Sequence, residues 1–191
     1  MAKVCFHFRS HRKVAVKKLT ASIFLVAVCA WPLANHALYD PAPVVALATI
    51  EGAWQGTLEY RDYQPPFKRV TLPTRLYVAV ASPKELTLHY IFDDGPQKTV
   101  HSYDRLAIDL DAGTVRFSGL KAEDVTLATV VGSKTTDGVL EVTAERSQET
   151  TGVMEVTRYR LRFGASAFEV LKTAGPKGAE SEFRNQYVFK R

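Results

Sequence analysis

The residues best suited to bind a ligand are tyrosines, arginines and a histidine from the first half of residues 50–191. The set is Tyr60, Arg75, Tyr77, His89, Tyr90, Tyr103 and Arg105. An arginine offers a planar fork of donors that binds a carboxylate through two hydrogen bonds, and a tyrosine hydroxyl adds another polar contact. If these side chains face one interior, they form a site for an acidic or amphipathic molecule. The alternative is that they occupy solvent-facing positions on ordinary strands.

Two histidines could supply some of the ligands of a metal site, but not a full set. His89 and His101 are symmetric about the predicted turn at Asp94-Gly95, so a hairpin would bring their imidazoles together. Two imidazoles are half of a typical site, and the alternative is a pair of ordinary strand histidines. Asp93-Asp94-Gly95 and residues 109–113 resemble fragments of calcium loops, but they lack the spaced ligands and the terminal Glu. We predict no metal and no cofactor.

Motifs for covalent catalysis are absent from the sequence. Gly164-Ala165-Ser166-Ala167-Phe168 has no second Gly, and no helix follows it, so it is not a nucleophile elbow. There is no Gly-rich phosphate loop, and the carboxylates are scattered. We therefore predict that the protein is not an enzyme.

A basic stripe, Arg158, Arg160 and Arg162, alternates along one predicted strand and so lies on one of its faces. Glu141 and Glu145 lie on the preceding strand, which predicts cross-strand ion pairs. The alternative is a docking surface for an acidic partner.

The first 37 residues have the pattern of an export signal. Residues 1–18 carry six basic side chains and no acidic one, and residues 19–33 are almost wholly apolar. Val28-Cys29-Ala30 or Asn35-His36-Ala37 precedes a possible cleavage point. The alternative is an uncleaved anchor, although the apolar run is shorter than the ~20 residues that span a bilayer. We predict a secreted or periplasmic protein that meets the membrane only through this segment, before cleavage.

Removing the leader changes the interpretation of the charge. The whole chain has 25 basic and 20 acidic residues, and the leader holds six of the basic ones. Residues 38–191 therefore have 19 basic and 20 acidic residues, a net charge of −1. The basic balance belongs to the leader and is no evidence for nucleic-acid binding. Both cysteines, Cys5 and Cys29, also lie there, so the mature chain would have no disulfide.

The remainder of the chain alternates between apolar and polar residues with a period of two. Residues 38–49 form a lead-in, in which a helical turn beginning at Pro41 would cover one end of the fold. Residues 50–191 contain about ten such runs separated by turn residues, which predicts an all-β, antiparallel up-and-down barrel. Pro73 predicts an edge, bulge or bend in the second strand. Val125, Leu127, Thr129 and Val131 share one face of the sixth.

The first strand carries the most distinctive pattern. Trp54, Leu58 and Tyr60 lie on one face, and Gly52 and Gly56 flank the Trp on that same face. A Gly within a strand marks a bulge or a close approach of backbones. We expect Trp54 to close one end of the barrel.

The motif Gly52-Ala53-Trp54 resembles the first strand of lipocalins and of the wider calycin group. Its extended form, Gly52-x-Trp54-x-Gly56, is similar to the start of fatty-acid-binding and nitrobindin-like barrels. The resemblance implies a calycin-like domain over residues 50–191 and an Arg that packs over the Trp, for which Arg184 is the candidate. Nitrobindin-like proteins hold haem through a late His. This chain has no His after His101, so the haem site is not expected, and lipocalin disulfides are missing as well.

The sequence thus predicts an exported barrel that binds a small apolar or amphipathic molecule without altering it. Neither a nucleic acid nor a particular protein partner is indicated. The alternative is a structural or interaction module of the cell envelope whose interior is filled by its own side chains.

Overall fold

The computed structural model describes residues 47–121 and 123–191. The predicted leader 1–37 and most of the predicted lead-in 38–49 lie outside the described residues. Ten β-strands follow a helical turn at residues 47–50. The strands are β1 (Gly52–Arg61), β2 (Arg69–Ser82), β3 (Glu85–Asp93), β4 (Thr99–Asp109), β5 (Thr114–Ser118), β6 (Val125–Thr136), β7 (Val139–Thr150), β8 (Val153–Gly164), β9 (Ala167–Pro176) and β10 (Glu182–Lys190).

The ten strands form a closed antiparallel barrel. Every strand pairs with its neighbours in the chain, and β1 pairs with β10 to complete the circle. The all-β meander predicted from the periodicity is therefore confirmed. Because successive strands run in opposite directions, the connections β1–β2, β3–β4, β5–β6, β7–β8 and β9–β10 all lie at one end. We call that end the mouth and the other end, where β1 begins, the base.

Apolar side chains at alternate strand positions line the interior of the barrel. The largest fully buried ones are Trp54, Phe163, Phe168, Phe189, Ile50, Leu76, Leu86, Leu106, Leu140, Leu161, Val115 and Val142. The outer wall carries charged pairs instead, including both ends of the predicted basic stripe. Arg158 binds Glu145 at 2.6 Å, and Arg162 binds Glu141 at 3.0 Å and Glu169 at 2.8 Å. The predicted cross-strand pairing is present at these two arginines.

The two glycines of β1 have separate structural roles. A Cβ on Gly56 would lie 1.9 Å from the carbonyl oxygen of Val188 and 2.8 Å from the Cα of Phe189. Only Gly lets the backbones of β1 and β10 approach this closely, as the sequence indicated. Gly52 has a φ of 120°, a region that side-chain-bearing residues rarely adopt. Gly56 therefore lets β1 and β10 close the barrel, whereas Gly52 allows the unusual backbone conformation at the start of β1.

Trp54 closes the base, as expected. Its side chain is 1% exposed, and its indole N–H donates to the Ile50 carbonyl at 2.8 Å. Ile50 itself is buried in the turn that covers this end. The guanidinium of Arg191 lies 4.3 Å from the indole centroid and donates to the carbonyls of Thr49 and Glu51.

The prediction that Arg184 packs over Trp54 is wrong. Arg184 lies near the start of β10, where it is 3.5 Å from Glu155 and 5.8 Å from the ring of Tyr63. The register explains the difference, because Gln55 at the beginning of β1 pairs with Lys190 at the end of β10. A side chain that covers Trp54 must therefore follow the end of β10, which is where Arg191 lies.

On β2 and β6, the contacts with neighbouring strands determine features that the alternation of apolar and polar residues does not. β3 pairs with β2 only as far as Thr74, so the segment of β2 before it, which includes Pro73, has β1 as its sole paired neighbour. That matches the edge predicted from Pro73. On β6, Leu127 and Val131 share a face as predicted, but the face is the outer one, and each side chain is 57% exposed. The inner face carries small residues such as Ala128.

Candidate functional site

The structure divides the seven predicted ligand-binding residues between the two sides of the barrel wall. Tyr90 is buried in the core, and Tyr60 shares the inner face of β1 with Trp54. The five on the outer wall are Arg75, Tyr77, His89, Tyr103 and Arg105. Because Leu76 and Val78 point inward, alternation turns Arg75 and Tyr77 outward, and the register carries this orientation to β3 and β4. The seven residues do not form one site.

The outward set forms an aromatic ladder across three strands. His89 pairs with Tyr77 on one side and Tyr103 on the other. Its ring stacks 4.2 Å from that of Tyr103 and lies 5.9 Å from that of Tyr77. His89 Nε2 lies 2.9 Å from His101 Nδ1, so the predicted approach of the two imidazoles is present. Within residues 47–121 and 123–191, no group of three or more His, Cys, Asp or Glu could hold a metal ion. Such cross-strand pairs stabilise a sheet.

A different group of polar side chains faces the interior, in the half of the barrel nearer the mouth. We call it the mouth cluster, and its members are Tyr90, Ser102, Asp104, Arg146, Tyr159, Lys172 and Tyr187. The register places them on the inner face, in phase with buried apolar residues. Lys172 pairs with Tyr159, and Arg146 follows Val142 and Ala144 on the inner side of β7. Only Tyr90 belonged to the predicted set.

Phenols and a carboxyl group form one part of the mouth cluster. The rings of Tyr90 and Tyr187 lie 5.0 Å apart. Burial raises the pKa of Tyr187 to about 12, and the nearby Asp104 charge contributes to this shift. Burial also raises the pKa of Tyr90 well above its ordinary value. Asp104 has a raised pKa, chiefly because of burial, although a hydrogen bond from Ser102 opposes the shift. In each of these groups, burial makes the charged form less favourable than it is in water.

Cations form the other part of the mouth cluster. The Nζ of Lys172 lies 5.8 Å from the ring centroid of Tyr159. Burial lowers the pKa of Lys172, and the charges of Arg184 and Arg146 lower it further. Among the described residues, no carboxylate forms an ion pair with Lys172 or Arg146. In the described part of the chain, these two cations therefore face the interior without a direct ion-pair partner.

The arrangement suits a molecule with an apolar body and a polar head. The base half of the interior is lined by Trp54, Phe168 and Phe189, which pack ring against ring. The mouth half adds hydroxyls and cations on the same inner surface. A sequence signal for the cluster existed, since Lys172 is in phase with Phe168 and Val170 on β9. One polar residue on an apolar face does not predict a binding site unless polar residues on other strands are known to lie near it.

Comparisons with known proteins show the fold and no family. No protein-family model matches the chain, and neither does any curated protein. The crystal structure of Rv2717c from M. tuberculosis is similar, with a TM-score of 0.52 and 14% sequence identity over 78% of this chain and 96% of that chain. A putative outer membrane protein (BF2706) from Bacteroides fragilis NCTC 9343 aligns over 76% of this chain and 99% of its own. Its identity of 8% and TM-score of 0.20 are too low to support an argument.

In the part of the chain that the structure describes, no helix has both the length and the apolar character that a membrane span requires.

Proposed function

We propose that this protein is an exported barrel that binds a small amphipathic molecule in its interior and does not transform it. The apolar part of the ligand packs against the aromatic side chains toward the base, and its polar head meets the mouth cluster. The observation that carries the proposal is the pair of cations, Lys172 and Arg146, which face the interior without a carboxylate partner.

Lys172 carries an energetic cost in the interior of the barrel. Removing a charged group from water without a partner is unfavourable, and the lowered pKa of Lys172 reports that cost in this fold. An apolar side chain of similar length at this position would avoid it. Lys172 therefore reduces stability in the empty barrel, and a ligand with a complementary head would offset the loss.

Export is proposed from the sequence alone. The basic segment 1–18 and the apolar run that follows it have the pattern of a secretory leader. A secreted or periplasmic barrel would meet its ligand outside the cytoplasm.

A second candidate is a structural or interaction module whose barrel is filled. It is favoured by the packing near the base, where Trp54, Phe163, Phe168 and Phe189 are all at most 1% exposed. The two candidates differ in whether the half nearer the mouth accepts a molecule.

Isothermal titration calorimetry with dodecanoate tests the proposal. We expect dodecanoate to bind the full chain, and Arg146→Met to weaken binding by about tenfold, a loss of ~1.4 kcal/mol. The matched control is Arg160→Met, which removes an arginine from the outer wall of β8. No heat of binding, or equal weakening by both substitutions, would reject the interior site and favour the filled module.

A further inference from the structure

Lys172 differs from the other lysines of the barrel in its surroundings. It lies on the inner face of β9, opposite Tyr159 on β8 and Asn185 on β10. The Tyr159 ring is 5.8 Å from its Nζ, and the side chain is half-buried. Its charged neighbours are mostly cations, Arg146 and Arg184, with Glu155 the one carboxylate that acts on it.

Those surroundings make the loss of the Lys172 proton easier than in water, because burial and the neighbouring cations lower its pKa. A lysine becomes a nucleophile when it loses its proton, which happens when the group is desolvated or placed beside other cations. Both conditions hold at Lys172, and the acid that acts on it is already engaged, because Glu155 lies 3.5 Å from Arg184. Once the proton is lost, the Nζ lone pair lies on the inner face of the barrel beside the Tyr159 ring, next to the site proposed for the ligand's polar head.

Lys84 shows the opposite arrangement on the outer wall. Its Nζ lies 2.8 Å from Asp109 and 2.8 Å from Asp111, and these bonds raise its pKa. Lys98 is paired with Asp94 in the same way. These two exposed amines hold their protons more tightly than an ordinary lysine, in contrast to Lys172.

We propose that Lys172 captures a carbonyl-bearing ligand, an aldehyde or ketone with an apolar chain, as a reversible imine. This inference rests on the proposed function and names the head group of the ligand. The Nζ lone pair attacks the carbonyl carbon to give a carbinolamine. The carbinolamine then loses its oxygen together with the two amine hydrogens as one water molecule. A carbon–nitrogen double bond remains, nothing is oxidised or reduced, and hydrolysis releases the ligand unchanged.

Reductive trapping tests this step. The full chain is incubated with dodecanal and sodium cyanoborohydride, which reduces an imine to a stable secondary amine, and the labelled residue is identified by peptide mass spectrometry. We expect one dodecyl group, located on Lys172, and loss of that label in Lys172→Arg. The matched control Lys84→Met should keep it. Labelling spread over exposed lysines, or label retained elsewhere in Lys172→Arg, would overturn the inference.

Dodecanoate separates this inference from the proposed function, because a carboxylate does not form an imine under these conditions. If dodecanoate binds and dodecanal is not trapped on Lys172, the imine is wrong and the binding barrel stands. If neither binds, both are wrong. Mapping the label on the unmodified protein needs no variant, so the test does not depend on how Lys172→Arg folds.

Discussion

The contact between Arg191 and Trp54 gives a quantitative test of how the base is held closed. The guanidinium lies 4.3 Å from the indole centroid, a geometry that contributes about 0.5–2 kcal/mol. It also donates to the carbonyls of Thr49 and Glu51, each bond being worth about 0.5–1.5 kcal/mol. Because Arg191 is exposed, the lower halves of these ranges apply. We expect Arg191→Ala to lower the free energy of unfolding by about 1–3 kcal/mol.

A double-mutant cycle separates the ring contact from the hydrogen bonds. Trp54→Ala should cost about 3–5 kcal/mol, since it removes a fully buried side chain and leaves a cavity. The coupling between Trp54→Ala and Arg191→Ala should be about 0.5–1.2 kcal/mol, because only the cation–π contact is shared and Arg191 is exposed. Urea unfolding followed by far-ultraviolet circular dichroism measures each corner of the cycle.

Arg184 provides the control, because the sequence suggested it for the same contact. Arg184→Ala should show no coupling to Trp54, since Arg184 lies against Glu155 and Tyr63 near the mouth. The reasoning about the base is refuted if Arg184 couples to Trp54 and Arg191 does not.

Three further perturbations probe the closure and the mouth cluster. Gly56→Ala should lower the free energy of unfolding by about 3 kcal/mol or more, because the added Cβ would lie 1.9 Å from a backbone oxygen. The control Gly132→Ala should cost far less, since its Cβ would meet nothing within 4 Å. Equal urea midpoints for the two variants would contradict this. Lys172→Met should stabilise the protein at neutral pH. The pKa of Lys172 is lowered in the folded state, so its charged amine destabilises the fold at every pH below the folded pKa. The stability gained by Lys172→Met should therefore shrink as pH rises toward 10.5. A variant that melts at a lower temperature than the unmodified protein at pH 7 would contradict this. Asp104→Asn should also stabilise the protein at neutral pH, because the raised pKa of Asp104 means that its charged form destabilises the fold. Thermal melts should show this gain vanishing below pH 3.8, where the carboxyl is protonated in both states. A gain that persists below pH 3.8 would show that the Asp104 charge is not its source.

The architecture was predictable because each strand carries its own evidence. Alternation and turn residues predict about ten strands in an up-and-down order, and the described residues form ten strands in that order. At Gly56 the sequence predicted a bulge or a close approach of backbones, and the structure shows the close approach. These signals are local to each strand, and the barrel forms when each strand pairs with the next one in the chain.

The position of the site was harder to predict, because alternation defines two faces without stating which one is inside. On β2 the aliphatic face decides the question and turns Arg75 and Tyr77 outward. On β6 the more apolar face is outside, so the same rule fails there. The residue that covers Trp54 depends on the register of β1 against β10, a contact between opposite ends of the domain. The mouth cluster likewise joins residues from β3, β4, β7, β8, β9 and β10.

Native mass spectrometry of the protein purified from its own host tests the binding barrel most directly. The account predicts that the unmodified protein carries one small molecule, and that a variant with both Arg146→Met and Lys172→Met, folded by circular dichroism, carries none. A bare polypeptide mass for the unmodified protein, or the same adduct on both proteins, would contradict it.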